Sequence, residues 1–190
     1  MPPTVGKVYA MTPQPPVAEN THWFPAGNLT IGVEYRDVDP EGLVATYRDD
    51  PAMLAELLER SPEGGFTDEG VSIHVSGTAD SHEYLRFDVF DAEPHYHYNH
   101  PGEPVVNNVV EFDAVAHGDM LDWALDCLRT RLPAMLHEAG GGDLVHAIDQ
   151  SEVERALQEV EPRARSAQQV ARAVQDASGS SARSVSSEHG

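Results

Sequence analysis

Imidazoles and carboxylates crowd into one short stretch of this chain. The run Glu93-Pro94-His95-Tyr96-His97-Tyr98-Asn99-His100 holds three of its ten histidines. In an extended segment, residues two apart share a face. His95 and His97 therefore point the same way, and Tyr96 and Tyr98 point the other, where they can pack, donate hydrogen bonds or wall a pocket. Two neighbouring imidazoles can hold one divalent ion through nitrogen at about 2.0–2.1 Å. A third ligand must come from elsewhere. His100, Glu103 in the following turn and Glu93 are close in sequence, and His74, Asp88 and Glu111 stand on polar faces of expected neighbouring strands. Two histidines with one carboxylate and open positions suit iron(II), and three nitrogens with a water suit zinc. Manganese is the third ion considered. If such a site is catalytic, its metal acts as a Lewis acid or activates water or oxygen. The same residues also read as a hydrogen-bonded polar cluster, or as a metal-free acid–base or ligand-binding site.

The other reactive side chains carry less. His82, His117, His137 and His146 are scattered and read as structural or exposed, and Asp113, like Asp88 and Glu111, reads as part of a solvated sheet face. Cys127, the only cysteine, falls in an apolar helical pattern and reads as a small core residue, so no intrachain disulfide and no cysteine-based zinc site can form. Fingerprints of serine hydrolases, phosphate loops and dinucleotide folds are absent.

Two resemblances bear on the histidine run. His-x-His followed by a glutamate is similar to the metal motif of the cupin family. Here, however, five residues separate His97 from Glu103, more than in that family, and no glycine precedes the motif. Asn107, Asn108 and His117 also miss the spacing of the family's second motif, and the long C-terminal helices are unlike a jelly roll, so the chain is not read as a cupin. The second resemblance rests on Leu85-Arg86-Phe87-Asp88-x-Phe90, Pro94-His95-Tyr96-His97-Tyr98 and Leu132-Pro133-x-Met135-Leu136, over about residues 84 to 142. That block resembles uncharacterised bacterial and archaeal proteins. It implies a grouping and no activity.

The elements that position these residues follow from periodicity. Leu29 to Arg36, Val71 to Ser76, Tyr84 to Asp91 and Val105 to Ala114 alternate apolar and polar side chains and read as strands of an antiparallel sheet. Val71, Ile73, Val75, Leu85, Phe87 and Val89 face the core, and Ser72, His74, Ser76, Arg86 and Asp88 face outward. A further short strand is expected at Leu43 to Tyr47, and a short helix from Pro51 to Arg60 ending in a loop at 61–65. Asp119 caps a long helix over 119–139, with Pro133 set to kink or split it and Gly140 to stop it. Short helices follow at 143–149 and at 152–160, the latter opened by the Ser151-Glu152-Val153-Glu154 capping box and stopped before Pro162.

The expected architecture is α+β: a sheet of four to five antiparallel strands packed on the long helix, with flanking helices. Residues 1–27, with prolines at 2, 3, 13, 15, 16 and 25, form an irregular arm. Residues 28–160 form a single domain, 161–176 a weak terminal helix and 177–190 a disordered tail. A formal net charge of −20 over 190 residues makes nucleic acid and anionic membranes poor partners. Met1 to Ala10 has no apolar run of signal length, so the expected location is the cytoplasm. Two functions remain: a small acidic protein binding a divalent metal at residues 95–97, or a structural protein whose C-terminal helices form a homodimer.

Overall fold

The computed structural model describes residues 7–9, 13–60 and 67–185. Its architecture is α+β. Seven strands form one sheet: β1 (Lys7–Tyr9), β2 (His22–Ala26), β3 (Leu29–Val38), β4 (Asp68–Gly77), β5 (Glu83–Phe90), β6 (His95–His100) and β7 (Val106–Glu111). Their order is β1-β7-β6-β5-β4-β3-β2, and every neighbouring pair is antiparallel. Six strands have five residues or more and β1 has three. The expectation of four to five strands is therefore corrected upward. The missed strands are β1 and β2, which lie in the arm expected to be irregular, and β6, which is the histidine run itself. Prolines hid β2. Pro25 is accommodated because β2 is an edge strand, where a missing N–H need not face a partner.

Strands β2 to β7 form a meander, and β1 joins it at the far edge, beside β7. The chain leaving β1 must therefore cross the whole sheet to begin β2. Six strand spacings come to roughly 29 Å, within reach of the dozen residues between the two strands. Of this connection residues 13–21 are described, and Gln14 to Thr21 run as a strap over one face of the sheet from β5 to β3.

The opposite face is apolar and carries the helices. Leu29, Ile31, Val33, Val71, Ile73, Val75, Leu85 and Phe87 are fully or almost fully buried there. Against them pack α4 (Met120–Thr130), α5 (Leu132–Glu138) and the first half of α7 (Gln150–Val185), through Leu121, Leu125, Leu128, Leu132, Leu136, Val153, Leu157 and Val160. The expected helix over 119–139 is split at Arg131, with Pro133 in the first turn of α5. Asp119 caps α4 by accepting the Asp122 N–H, and Gly140 takes φ +81° after α5.

Other expectations are corrected. Residues 43–47 are not a strand: Asp39 accepts the Gly42 N–H, Pro40 occupies the first turn, and α1 (Pro40–Thr46) results. The helix expected over 51–60 is present as α2 (Pro51–Arg60). The loop expected at 61–65 lies outside the described residues. Glu111 ends β7, and Asp113 caps α3 (Ala114–His117) instead of lying on the sheet. The helix expected over 143–149 is shorter, α6 (Gly142–Val145). α7 begins at Gln150, because Asp149 and not Ser151 takes the first free N–H groups. It runs through Pro162 to Val185, so residues 161–185 continue one helix where a break and a loose tail are expected. An interior proline costs about 3 kcal/mol. Val160 and Ala164, both fully buried against the sheet on either side of Pro162, hold the helix in line.

Leu128→Ala is expected to lower the free energy of unfolding by about 2–5 kcal/mol. Val115→Ala, at a position 99 % exposed, should stay within about 0.5 kcal/mol. Urea titrations followed by circular dichroism measure both.

Candidate functional site

The second face of the sheet was expected to be wet. It is buried instead, and it is charged. Glu34 and Arg36 on β3, Ser72 and His74 on β4, Arg86 and Asp88 on β5, and His97 and Asn99 on β6 are all buried. The strap lies against Glu34, Arg36 and Arg86. Gln14 gives its carbonyl to Arg86 Nη2 at 2.7 Å and to Arg36 Nη1 at 3.5 Å, and the Pro15 carbonyl accepts from Arg36 Nη2 at 3.1 Å. The Val17 N–H donates to Glu34 Oε2 at 2.8 Å, and the Thr21 hydroxyl lies between that oxygen, at 2.9 Å, and the Val17 carbonyl, at 2.7 Å. Proline suits this role because it has no N–H of its own to satisfy.

Charges removed from water must be matched within the face. Arg86 pairs with Glu83 through Nε and Nη2, and Arg36 pairs with Glu34. His74 sits between two carboxylates, with Nδ1 2.5 Å from Glu83 Oε1 and Nε2 3.2 Å from Glu34 Oε1. Burial alone would raise Glu83. The Arg86 charge and the His74 contact outweigh it and hold the carboxyl far below its usual range.

Beside this group lies the histidine run. Antiparallel pairing sets His95 opposite Asp88 and His97 opposite Arg86, all on the polar face. His97 Nε2 lies 3.0 Å from Asp88 Oδ2, and His95 Nε2 lies 3.3 Å from the same oxygen. The two rings are 4.9 Å apart. Asp88, His95 and His97 are the only group of three or more His, Cys, Asp or Glu, among the described residues, whose ligand atoms come within 4.8 Å of one another.

The outer nitrogens decide what the inner ones can do. His95 Nδ1 lies 2.6 Å from the Glu93 carbonyl. A carbonyl can only accept, so that nitrogen carries hydrogen. His97 Nδ1 lies 2.8 Å from Asn107 Oδ1 and donates to it. In their neutral forms both rings then aim an Nε2 lone pair at a carboxylate oxygen. Repulsion is relieved by a proton or by a cation among the three atoms. Burial pushes His97 down, with the His95 charge adding to it, whereas Asp88 outweighs burial at His95 and raises it. Asp88, despite its burial, is held well below the usual carboxylate range by the His95 and His97 contacts and the Arg86 charge.

Several positioning groups have no signature in the sequence. Ser72 Oγ donates to Asp88 Oδ1 at 2.5 Å. Asp68, at the start of β4, accepts the Ala92 and Glu93 N–H groups at 3.1 and 2.8 Å. It thereby fixes the β5–β6 connection whose Glu93 carbonyl orients His95. Asn107 was considered only for its spacing, yet it orients His97.

The remaining candidates are placed elsewhere. His100 faces the helical side and accepts from Asn108 Nδ2 at 3.0 Å. Glu103 is exposed in the β6–β7 turn, at the end of β6 away from His95. His74 belongs to the neighbouring Glu34–Glu83 group. Glu111 lies opposite His95 on β7 but outside the three-atom cluster. Glu93 contributes a backbone carbonyl. Tyr96 and Tyr98 face the helices, where Tyr96 packs on Phe87 and Trp123 at 6.2 and 5.0 Å. Burial pushes the Tyr98 hydroxyl up to about 12. Cys127 is buried, and burial raises its thiol.

Residues 23–164 match the model of a domain family of unknown function, DUF7700, and the chain belongs to that family. Neither the curated proteins nor the solved structures match it. Among the described residues, no helix is long and apolar enough to cross a membrane.

Arg86→Ala should destabilise the fold by about 3–5 kcal/mol, because it strips the guanidinium from Glu83 and leaves only His74 beside that carboxylate. Arg155→Ala, which breaks an exposed pair with Glu152 on α7, should change stability far less. Chemical denaturation of the two variants compares them.

Proposed function

We propose that this DUF7700 domain binds one divalent transition-metal ion through Asp88 Oδ2, His95 Nε2 and His97 Nε2. One observation carries the reading. Both imidazoles give Nδ1–H to an oxygen acceptor, Glu93 O and Asn107 Oδ1, and turn the other nitrogen toward the same carboxylate oxygen. Metal-bound histidines are typically anchored this way, and the outer acceptor sets both tautomer and ring angle. The donor set of two imidazoles and one carboxylate suits iron(II), zinc or manganese. His95 is the least buried of the three, so the site opens on its side. In a catalytic role the ion would polarise a bound oxygen atom or activate water or oxygen. The chain's own residues would hold it, exclude water from the Asp88 side and fix the open positions.

A second reading has its own support. The polar face closes on itself, since Asp88 already accepts from Ser72 and one added proton on His95 completes its pairing. The domain would then be a structural or interaction protein, dimerising through its C-terminal helices. It predicts no stoichiometric metal, and a change of assembly state on truncation after Pro162.

Elemental analysis of untagged protein should find about one ion per chain, lost in His95→Ala/His97→Ala. Asn107→Ala should weaken the affinity about 10–100-fold while keeping the stoichiometry, as read by competition with a chromogenic chelator. Wild-type protein that binds added iron(II), zinc or manganese no better than the double variant would exclude the metal reading in favour of the second.

A further inference from the structure

The metal reading does not use the His74 group, although this is the most deeply buried imidazole in the described chain and each of its ring nitrogens faces a carboxylate. Glu34 approaches from β3 and Glu83 from β5. Arg36 stands behind Glu34, and Arg86 behind Glu83. The Trp23 ring closes the site from β2, 6.1 Å away. It lies so close over Gly32 that a Cβ there would fall 2.6 Å from it. His74 itself has no exposed surface.

A neutral imidazole has one N–H. It can serve Glu34 or Glu83 but not both, and only the imidazolium donates at both ends. The alternative is a proton on Glu34, and its other contacts oppose that. Oε2 already accepts from the Val17 N–H, and Oε1 faces Arg36 Nε at 3.1 Å. Glu34 is thus at once a partner of His74 and the anchor of the strap.

We propose that His74 is a proton-operated latch for the strap over residues 13–21. With both nitrogens protonated, it neutralises Glu34 and Glu83 together, and Glu34 stays in place to hold Val17 and Thr21. With one proton lost, one carboxylate faces a lone pair in a buried site, and opening the strap exposes it to solvent. Release would also bare Arg36 and Arg86, whose guanidinium groups now hold the Gln14 and Pro15 carbonyls. The latch does not depend on a metal at Asp88, His95 and His97.

The direction of the effect follows from linkage. Burial would lower the His74 ring, but Glu34 and Glu83 outweigh it and raise its titration above 6.5. The docked state therefore holds that proton more tightly than an open one. Its contribution is complete below the ordinary imidazole value and is lost as the pH rises through the raised one. Glu34 and Glu83, both held low, keep their charges throughout this window.

The Val17 amide reports directly, because it donates to Glu34. Amide exchange on the full chain should show its protection factor falling about tenfold or more between about pH 6 and pH 9, while core amides such as that of Leu85 keep theirs. The opening constant, the reciprocal of the protection factor, should reach half its high-pH value where the His74 ring nitrogens titrate in the same wild-type sample. In His74→Gln the step should vanish. Val17 protection that stays constant across this range, a step of wild-type size in His74→Gln, or an opening constant whose midpoint departs from the ring titration would each overturn the latch. The coincidence test needs only wild type, so it decides even if the variant fails to fold.

Discussion

Glu34, Arg36, His74, Arg86 and Asp88 lie on one face of a single sheet, and all of them are buried. The rest of the structure depends on matching these charges. Removing a charge from water costs several kcal/mol, and the loss is recovered only by close, well-directed partners. Here the partners come from adjacent strands in register and from the carbonyl and amide groups of the strap. The topology follows from the same need. With β1 at one edge and β2 at the other, the connection between them must cross the sheet, and it crosses over the charged face.

The two faces therefore divide the work. The apolar face, under α4, α5 and α7, supplies the ordinary hydrophobic drive to fold. The polar face contributes less net stability but holds its side chains in fixed places at low local dielectric. Asp88, His95 and His97 inherit that rigidity. Ser72 holds Asp88, Asn107 holds His97, and Asp68 fixes the connection that orients His95. Under the proposed function, these side chains would be oriented before any ion arrives, as tight metal binding requires.

Much of this was legible in the sequence. Alternation in Leu29–Arg36, Val71–Ser76 and Tyr84–Asp91 marked three central strands, since alternate apolar residues leave few other arrangements. The two-residue spacing of His95 and His97 placed them on a common face. Alternation does not say whether the polar half of a strand is wet. His74, Arg86 and Asp88 look the same in sequence whether they face solvent or a covering strap. The cover itself was hidden because Pro13, Pro15 and Pro16 read only as irregular chain, and crossing a sheet leaves no periodic trace. Pro162 misled for the opposite reason: its local preference to end a helix is overridden by Val160 and Ala164, whose partners are distant in sequence. Asp68 and Asn107 gave no signal, because each acts on a histidine through geometry that only the folded chain creates.

The central claim is that three named atoms share one ion. Crystals of the full chain soaked in manganese or iron(II), with diffraction collected on both sides of the metal's absorption edge, test it most directly. The account predicts one strong anomalous peak within about 2.0–2.3 Å of Asp88 Oδ2, His95 Nε2 and His97 Nε2. No peak there, with ordered direct hydrogen bonds from the two histidines to Asp88 in its place, would contradict it.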